Sequence, residues 1–322
     1  MFGFGDAVAR DREYEEMLLV KAAWYYYMEG LTQQQIAEYL GISRLKVNHL
    51  LDKARQNGTV QFSVRIDAGE RMKLEKSLVS IFHLKDAFVV PAPVNPDLSD
   101  ENAAQAAAMF LADRIQPGDY INVGYGKTIS SLLNRLANNA EYSINMVSLT
   151  GGVNNYLPNT QSSIFNARLF LMPSPLLVRT PEMVRNMMDE PDLQQIMQMS
   201  KLAKATVFGI GAMNPGATVL TNGLLSNSDF LLLSMRGAVG DILCHYIDAE
   251  GKIVDSDIEN RLISTSLEHI RGLENTIAVA AGAPKVDAIR AVLRGGYTDV
   301  LITDEATAQS IVSREIASKE QS

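Results

Sequence analysis

The sequence contains very little cysteine, histidine or tryptophan. Its 322 residues include one cysteine, Cys244, with four histidines and one tryptophan. A single cysteine excludes an internal disulfide framework and a zinc site built on several thiolates. The few histidines also lack the paired spacing of metal ligands. We therefore expect this protein to hold neither a metal ion nor any other cofactor.

Long apolar runs are also missing from the chain. None approaches the ~20 residues that a membrane-spanning helix requires. The first residues, MFGFGDAVARDREYEE, lack the cationic start and the following apolar stretch of a signal peptide. We expect a cytoplasmic protein with no membrane partner, in which residues 1–15 form a flexible tail before the first domain.

Positive charge is scarce in the chain as a whole, since 29 Lys and Arg face 37 Asp and Glu and the formal net charge is -8. One segment, residues 43–55, is basic and contains a single acid, Asp52. Its basic residues are Arg44, Lys46, Lys53 and Arg55. One basic segment in an acidic chain predicts a single, local footprint for a polyanion such as DNA.

The segment around this basic stretch has the pattern of two short helices joined by a tight turn. Thr32 and Gln35 have the spacing of a capping box at the start of the first helix. Gly41 supplies the backbone freedom that a sharp turn needs, and Ser43 is placed to cap the second helix. Apolar residues then recur at i, i+3, i+4 and i+7 and predict one buried face: Val47, Leu50, Leu51 and Ala54.

The other face of the second helix is polar and predicts insertion into the major groove of DNA. Gln33, at the start of the preceding helix, is placed to contact backbone phosphate. The residues expected to contact DNA from the second helix are Ser43, Arg44, Lys46, Asn48, His49 and Arg55. An exposed helix of an ordinary helical bundle is the alternative.

Two further elements complete this first domain. Leu, Ala and aromatic residues recur at helical spacing from Glu16 to Met28 and predict a helix that packs under the pair. The segment Thr59–Ile66, TVQFSVRI, alternates like a strand. Together they predict a winged helix-turn-helix DNA-binding domain over residues 16–66.

Residues 67–322 change to apolar strands that alternate with helices, which predicts an α/β domain with a mainly parallel sheet. After a connecting helix over Glu70–Phe82, the predicted strands are Asp86–Val90, Tyr120–Val123, Asn145–Leu149, Thr206–Ile210, Thr276–Ala280 and Asp299–Ile302. The predicted helices are Glu101–Ile115, Thr128–Leu136, Asp192–Ala203, Lys285–Leu293 and Glu305–Ile316.

Three glycine-bearing segments, residues 124–128, 150–155 and 280–285, each follow a predicted strand. Ligands of open α/β sheets bind beyond the carboxyl ends of the strands, and the N–H groups of helix starts bind anions. Together the loops predict a pocket for a small anionic polar ligand such as a sugar phosphate, although any one of them alone is as consistent with a simple turn. The predicted ligand residues are Gly124, Tyr125, Gly126, Lys127, Thr128, Gly151, Gly152, Asn154 and Lys285. No nucleotide site is expected, because GYGKT lacks the spacing of a P-loop.

These motifs, in this order and spacing, resemble the SorC family of bacterial sugar-responsive transcription regulators. The resemblance covers nearly all of residues 16–315 and is carried by the segments GLTQQQIAEYLGISRLKVNHLLDKARQNGTV, VGYGKT, TGGVNN, FGIGAM, RGAVGDILCHYIDAEGKIV and AGAPKVDAIRAVLRGGYTDVLITDEATA. It implies a helix-turn-helix joined to a Rossmann-like effector-binding and oligomerisation domain similar to glucosamine-6-phosphate deaminase and ribose-5-phosphate isomerase.

The resemblance also implies partners and one more site residue. Members are typically homo-tetramers that bind an operator DNA and respond to a sugar, polyol or sugar phosphate. Asp241 matches a family signature that lines the effector pocket, where it would accept hydrogen bonds from ligand hydroxyls. The alternative for Asp241 is the cap of a turn.

The deaminases of this fold bear on whether the protein is an enzyme. Their catalytic segment begins Gly-Ile-Gly and then supplies Asp-Gly-His, whereas here Gly209-Ile210-Gly211 continues as Ala-Met-Asn-Pro. Proton transfer needs a positioned acid and base, so we expect a regulator of carbohydrate or polyol catabolism rather than an enzyme. A sugar-phosphate isomerase or deaminase fused to a DNA-binding module is the main alternative. A DNA-binding protein with an empty second domain is the third.

Overall fold

The chain divides into two units, Met1–Ile66 and Asp67–Ser322, between the same two residues at which the sequence pattern changes. The structure is a computed structural model that describes residues 4–27, 29–56, 59–60, 66–152 and 167–320. Of the helices in these ranges, none combines the length and the hydropathy needed to cross a membrane.

Three helices form the described part of the first unit: α1 (Phe4–Tyr27), α2 (Gln33–Leu40) and α3 (Arg44–Gln56). α1 begins at Phe4, so residues 4–15, which were predicted to be a tail, are instead the first half of a helix. The apolar side chains buried between the helices are Leu18, Leu19, Ala22, Ala23, Ile36, Ala37, Val47, Leu50, Leu51 and Ala54. They include all four residues of the stripe predicted on α3.

The turn between α2 and α3 follows the predicted chemistry. The Thr32 hydroxyl accepts from the Gln35 N–H at 3.3 Å, and the Gln35 carboxamide oxygen accepts from the Thr32 N–H at 2.9 Å. Gly41 ends α2 with φ 65°, a left-handed conformation that glycine adopts without strain. The Ser43 hydroxyl accepts from the Lys46 N–H at 3.2 Å and caps α3.

The strand predicted over Thr59–Ile66 is not tested over most of its length. Thr59 and Val60 lie in a bend, and Ile66 begins the helix α4 (Ile66–Phe82). Residues 61–65 lie outside the described residues, so the wing stays a prediction.

The second unit is built on a sheet of seven strands whose neighbouring pairs are all parallel. In chain order the strands are β1 (Asp86–Val90), β2 (Tyr120–Val123), β3 (Ile144–Ser148), β4 (Ala167–Phe170), β5 (Ala205–Gly209), β9 (Thr276–Val279) and β10 (Val300–Asp304), and their spatial order is β1-β10-β9-β5-β2-β3-β4. The predicted parallel α/β sheet is confirmed.

Helices cover this sheet, and a small antiparallel sheet lies beside it. The remaining helices are α5 (Ser99–Ala112), α6 (Lys127–Asn139), α7 (Pro181–Met188), α8 (Pro191–Ser200), α9 (Thr218–Thr221), α10 (Asn227–Met235), α11 (Leu267–Arg271), α12 (Val286–Arg294) and α13 (Glu305–Glu320). The small sheet comprises β6 (Gly211–Ala212), β7 (Gly240–Ile242) and β8 (His245–Ile247). Two apolar clusters separated by the large sheet form most of the core.

The direction of chain progression reverses between β2 and β5. From β2 the chain adds β3 and β4 on one side, whereas β5, β9 and β10 follow on the other. The loops that follow β2 and β5 therefore run to opposite faces of the sheet, and a crevice lies between them. Ligands of open α/β sheets bind at such a switch point.

The capping box gives a first prediction, on the stability of the helix-turn-helix pair. Thr32→Ala removes the acceptor for the Gln35 N–H and should destabilise α2 by about 1 kcal/mol. Hydrogen-exchange mass spectrometry of the full chain should show faster exchange over residues 33–56. Gln34→Ala, on the exposed side of the same helix, is the control and should leave exchange nearly unchanged. Equal effects of the two substitutions would contradict a specific capping role.

Candidate nucleic-acid interface and ligand cavity

One face of α3 is exposed and polar. Ser43, Arg44 and Lys46 are exposed at its start, and Asn48, His49 and Arg55 continue the same side. Gln33, at the start of α2, donates a hydrogen bond from its carboxamide nitrogen to the Asn48 carboxamide oxygen at 3.2 Å. The structure thus brings all seven residues predicted to contact DNA to the surface formed by α3 and the start of α2.

The cations of α3 differ in their partners. Lys53 lies 3.3 Å from the Glu15 carboxylate, and Arg55 is paired with Asp52. Within the described residues, neither Arg44 nor Lys46 forms an ion pair. The uncompensated positive charge therefore lies in the first turn of α3, which is the end that reads bases in helix-turn-helix proteins.

A cavity of about 480 Å³ opens in the second unit at the carboxyl ends of β2, β5 and β9. The loop after β2 lines it with Tyr125 to Ile129, and the loop after β9 lines it with Ala281 to Lys285. The segment after β5 contributes Gly209 to Ala212. Side chains from other elements complete the lining, among them Asp97, Asp100, Asn214 and Asp241.

The start of α6 gives the cavity an anion-binding character. Gly126 precedes the helix with φ 125°, and no described side chain caps that terminus by a hydrogen bond. The first-turn N–H groups of a helix have no partner within the helix and carry the positive end of its dipole. Because Gly126, Lys127 and Thr128 all line the cavity, these donors lie at its wall.

Lys285 lies on the side of the cavity formed by the loop after β9. Its ammonium nitrogen is 2.7 Å from Asp100 Oδ1 and 3.4 Å from the Thr128 hydroxyl oxygen. Asp100 Oδ1 also accepts the Ala281 N–H at 3.3 Å. Asp100 was not among the residues predicted from the sequence, because it is separated from Lys285 by 185 positions and no local motif marks it.

Asp241 lies on β7, where it pairs with Gly211 of β6 and lines the cavity. The close approach requires glycine, because a Cβ at position 211 would lie 1.8 Å from Asp241 Oδ1. Burial raises the pKa of the Asp241 carboxyl to about 6, although the Cys244 N–H and the charges of Lys285 and His245 favour its ionised form. A carboxyl group with a raised pKa therefore borders the cavity.

A strained hairpin holds Asp241 in place. The two residues between β7 and β8, Leu243 and Cys244, have φ of 52° and 67° without being glycine. The Cys244 N–H donates to Asp241 Oδ2 at 3.1 Å, and the Ser264 hydroxyl donates to the Leu243 carbonyl at 3.0 Å. Leu243 also lines the cavity. Backbone strain of this kind is concentrated at ligand sites, where the surrounding contacts maintain it.

Not every predicted ligand residue reaches the cavity. The structure brings together Tyr125, Gly126, Lys127, Thr128, Asp241 and Lys285. Gly124 lies behind the wall, where a Cβ would meet the Phe208 Cβ at 2.8 Å. Gly151 packs against the Pro175 backbone and the Ser174 side chain, and the Gly152 N–H donates to the Ser174 carbonyl at 2.8 Å. Asn154 lies outside the described residues.

The segment after β5 does not supply the acid and base side chains that proton transfer in a deaminase would need. Ala212 and Asn214 line the cavity at this place, and neither is an acid or a base. His245 is buried, with Nδ1 2.8 Å from the Glu259 carboxylate and Nε2 3.0 Å from the Thr265 carbonyl oxygen. The described ranges contain no group of three or more His, Cys, Asp or Glu arranged to hold a metal ion.

Comparison with known proteins agrees with this architecture. The family model Sugar-bind, described as "Putative sugar-binding domain", matches residues 67–313. Transcriptional regulator LsrR of Klebsiella pneumoniae is 33% identical over 303 residues, which cover 93% of this chain and 94% of that protein. LsrR of Escherichia coli O139:H28 is 31% identical over 310 residues, which cover 95% and 98%.

The chain belongs to the SorC family of sugar-binding transcriptional regulators. The full-length sorbitol operon regulator SorC of Klebsiella pneumoniae has a similar structure, with a TM-score of 0.65 and 26% identity over 92% of this chain and 98% of that one. A transcriptional regulator of Streptococcus pneumoniae TIGR4 matches 78% of this chain with a TM-score of 0.67. This SorC-family member is a sugar-responsive regulator of transcription.

The raised pKa of Asp241 predicts how the stability of this SorC-family regulator depends on pH. A folded-state pKa above the unfolded value means that the ionised carboxylate destabilises the fold. That cost is absent below about pH 4 and is complete above about pH 6. Asp241→Asn should therefore raise the midpoint of thermal unfolding by about 2–6 °C at pH 8 and by much less at pH 4.5.

Asp97→Asn, at the exposed rim of the same cavity, is the matched control for this comparison. It removes the same formal charge and should change the unfolding midpoint little at either pH. A gain for Asp241→Asn that is equal at pH 4.5 and pH 8 would show that repacking, and not a buried charge, is the cause.

Proposed function

We propose that this regulator binds an operator through the exposed face of α3 and that a small phosphorylated sugar or polyol in the cavity controls that binding. The observation that carries the ligand class is the position of Lys285 beside the α6 N-terminus in the wall of one cavity, with the Lys285 ammonium 3.4 Å from the Thr128 hydroxyl oxygen. The controlled genes would be those of a carbohydrate or polyol catabolic operon. The similarity to a sorbitol operon regulator supports this, since its name assigns it to such an operon.

Two features of the cavity favour a phosphorylated ligand. A phosphate group carries up to two negative charges and several acceptor oxygens, which match a lysine ammonium and the N–H groups of a helix start. The polar side chains of Asp241 and Asn214 line the same space and suit the hydroxyl groups of a sugar or polyol. A ligand with a charged end and a hydroxylated end uses both.

The proposed DNA contacts are those of the predicted face: Gln33, Ser43, Arg44, Lys46, Asn48, His49 and Arg55. Arg44 and Lys46 are expected to contribute most, because their charges lie in the first turn of α3 and are not compensated by a described acid. Arg55 is paired with Asp52 and is expected to contribute less. Gln33 already bonds to Asn48, which would orient both carboxamides toward the DNA backbone.

Three finer features are part of the same proposal. The first unit would be a winged helix-turn-helix, with the wing in residues 59–66. The second unit would share its Rossmann-like fold with glucosamine-6-phosphate deaminase and ribose-5-phosphate isomerase. The functional form would be a homo-tetramer, because two-fold symmetry lets one recognition helix per chain read a longer, pseudo-palindromic operator.

The DNA interface gives a prediction on operator affinity. Arg44→Ala and Lys46→Ala should each weaken operator binding by ~1–3 kcal/mol if the side chain reaches a base. Each lost phosphate contact should also reduce the slope of log affinity against log salt concentration by about one. Fluorescence anisotropy with a labelled operator fragment at several salt concentrations measures both quantities.

Lys53→Ala is the matched control for this experiment, because it removes one charge from the same helix. Its ammonium group is already compensated by Glu15 at 3.3 Å, so the loss of affinity should be smaller. Full operator affinity in an Arg44→Ala/Lys46→Ala double variant would remove α3 from the proposed interface.

The cavity gives a prediction on ligand class. Charge-assisted hydrogen bonds contribute about 1.5–3 kcal/mol each, so Lys285→Ala should weaken binding of a phosphorylated ligand by at least about tenfold. Binding of the unphosphorylated form should change much less. A thermal-shift screen of sugars, polyols and their phosphates selects the pair, and calorimetry measures both affinities.

Lys252→Ala, which removes an exposed lysine of the second unit that does not line the cavity, is the control for Lys285→Ala and should leave both ligand affinities nearly unchanged. Operator binding in the absence of ligand should be unchanged in both variants. If the two forms of the ligand lose equal affinity in Lys285→Ala, then Lys285 does not contact a phosphate group. If neither loses affinity, the ligand site lies elsewhere.

A further inference from the structure

Asp100 occupies the position at which an anionic ligand would meet Lys285. We infer that the Asp100 carboxylate is an internal competitor for the anion site: it holds Lys285 while the cavity is empty and is displaced when a phosphate group binds. This inference rests on the proposed function, because it assumes that the effector is anionic. It makes Asp100 a residue that determines which anions the regulator accepts.

The first argument is the convergence of donors on one oxygen atom. Asp100 Oδ1 receives the Lys285 ammonium at 2.7 Å and the Ala281 N–H at 3.3 Å. Both donors belong to the loop after β9, whereas Asp100 belongs to α5, on a separate part of the chain. One cation and one backbone N–H directed at a single oxygen atom are the contacts that a phosphate oxygen would receive. The carboxylate therefore already holds two donors of the proposed phosphate site.

The second argument is charge. The cavity lining contains three aspartates, Asp97, Asp100 and Asp241, and two lysines, Lys127 and Lys285. While Asp100 is paired with Lys285, a phosphate at that ammonium would lie against a carboxylate of the same sign, and like charges that share one site disfavour each other's ionised forms. Phosphate binding at Lys285 therefore requires the carboxylate to move away.

The third argument is that the Asp100 side chain can move toward solvent. Asp100 lies in the first turn of α5 and retains 34% of its side-chain exposure, whereas Lys285 retains 17%. A rotation about the side-chain bonds of Asp100 takes the carboxylate toward solvent without moving the helix. Lys285, near the start of α12 and close to Thr128, stays in the wall to receive the phosphate.

A ligand must interact with Lys285 more strongly than the Asp100 carboxylate does in order to displace it. A monoanion such as acetate offers Lys285 the same charge and the same acceptor atoms as the Asp100 carboxylate. Replacement of Asp100 by acetate therefore yields no favourable binding free energy. A phosphate dianion has more charge and more acceptor atoms, and it also reaches the N–H groups at the start of α6. Selectivity of this kind depends on a competing group within the protein, which is displaced only by a ligand that has more charge and more contacts than a carboxylate.

The test is a comparison of inorganic phosphate binding by the full-length wild-type protein and Asp100→Asn. Asparagine keeps the shape of the side chain and loses its charge, so phosphate should bind the variant at least about tenfold more tightly. Acetate, which the wild type should not bind measurably, should become a detectable ligand of the variant. Asp100→Ser, measured in parallel, provides the same readout if Asp100→Asn does not fold.

Two controls make the result specific. Asp97→Asn removes an equal charge from the cavity rim, and its effect on phosphate affinity should stay below about threefold, since it has no ion pair with a described residue. The gain in Asp100→Asn should also disappear in Asp100→Asn/Lys285→Ala, because the competition is for that ammonium group. An equal gain in Asp97→Asn would overturn the inference in favour of a general charge effect.

The remaining outcomes separate this inference from the proposed function. If wild type binds phosphate and Asp100→Asn binds it equally or more weakly, Asp100 orients Lys285 for the ligand and the inference is wrong while the anionic effector stands. If neither protein binds inorganic phosphate or any phosphorylated sugar, whereas an unphosphorylated sugar does bind, the anionic effector itself is wrong and the inference fails with it.

Discussion

Parallel pairing of the seven strands is the constraint on which the second unit depends. Parallel strands need crossover connections, which are usually helical. At the carboxyl end of a strand, the chain therefore continues through a loop into the start of a helix. Here the loops after β2 and β9 meet across the end of β5. This arrangement places the start of α6, Lys285 and Asp100 around one cavity. Both the proposal of a phosphorylated ligand and the inference that Asp100 competes with it depend on this arrangement.

Much of this framework was predictable because it is local or repetitive. The bounds of β1 and β2 agree with the prediction, and the capping box of Thr32 and Gln35 identifies the start of α2. Helices and buried parallel strands leave a periodic or continuous apolar pattern that can be read within one window. The prediction missed the strand β4, the helices α7, α9, α10 and α11, and the three short strands of the small sheet. β4 lies at the sheet edge with Arg168 exposed within it, so its four residues lack that pattern.

The site was predictable only in part, for the same physical reason. Glycine after a strand marks a turn, but it does not tell whether the turn faces a cavity. The loop at Tyr125–Thr128 does so, whereas Gly151 and Gly152 pack against the Ser174–Pro175 segment. The pairing of Asp100 with Lys285 joins two distant parts of the chain and leaves no signal in either. Such contacts become visible only when the sheet has brought the loops together.

The central claim is that occupation of the cavity changes the affinity for DNA. Coupling between two binding sites is reciprocal, so it is measured most directly from the ligand side. The affinity of one sugar phosphate, selected by thermal shift, should be determined by calorimetry for the free protein and for its operator complex. The account predicts that the two affinities differ, by the same factor as the operator affinity with and without that ligand. Equal affinity for the free and the DNA-bound protein would contradict it.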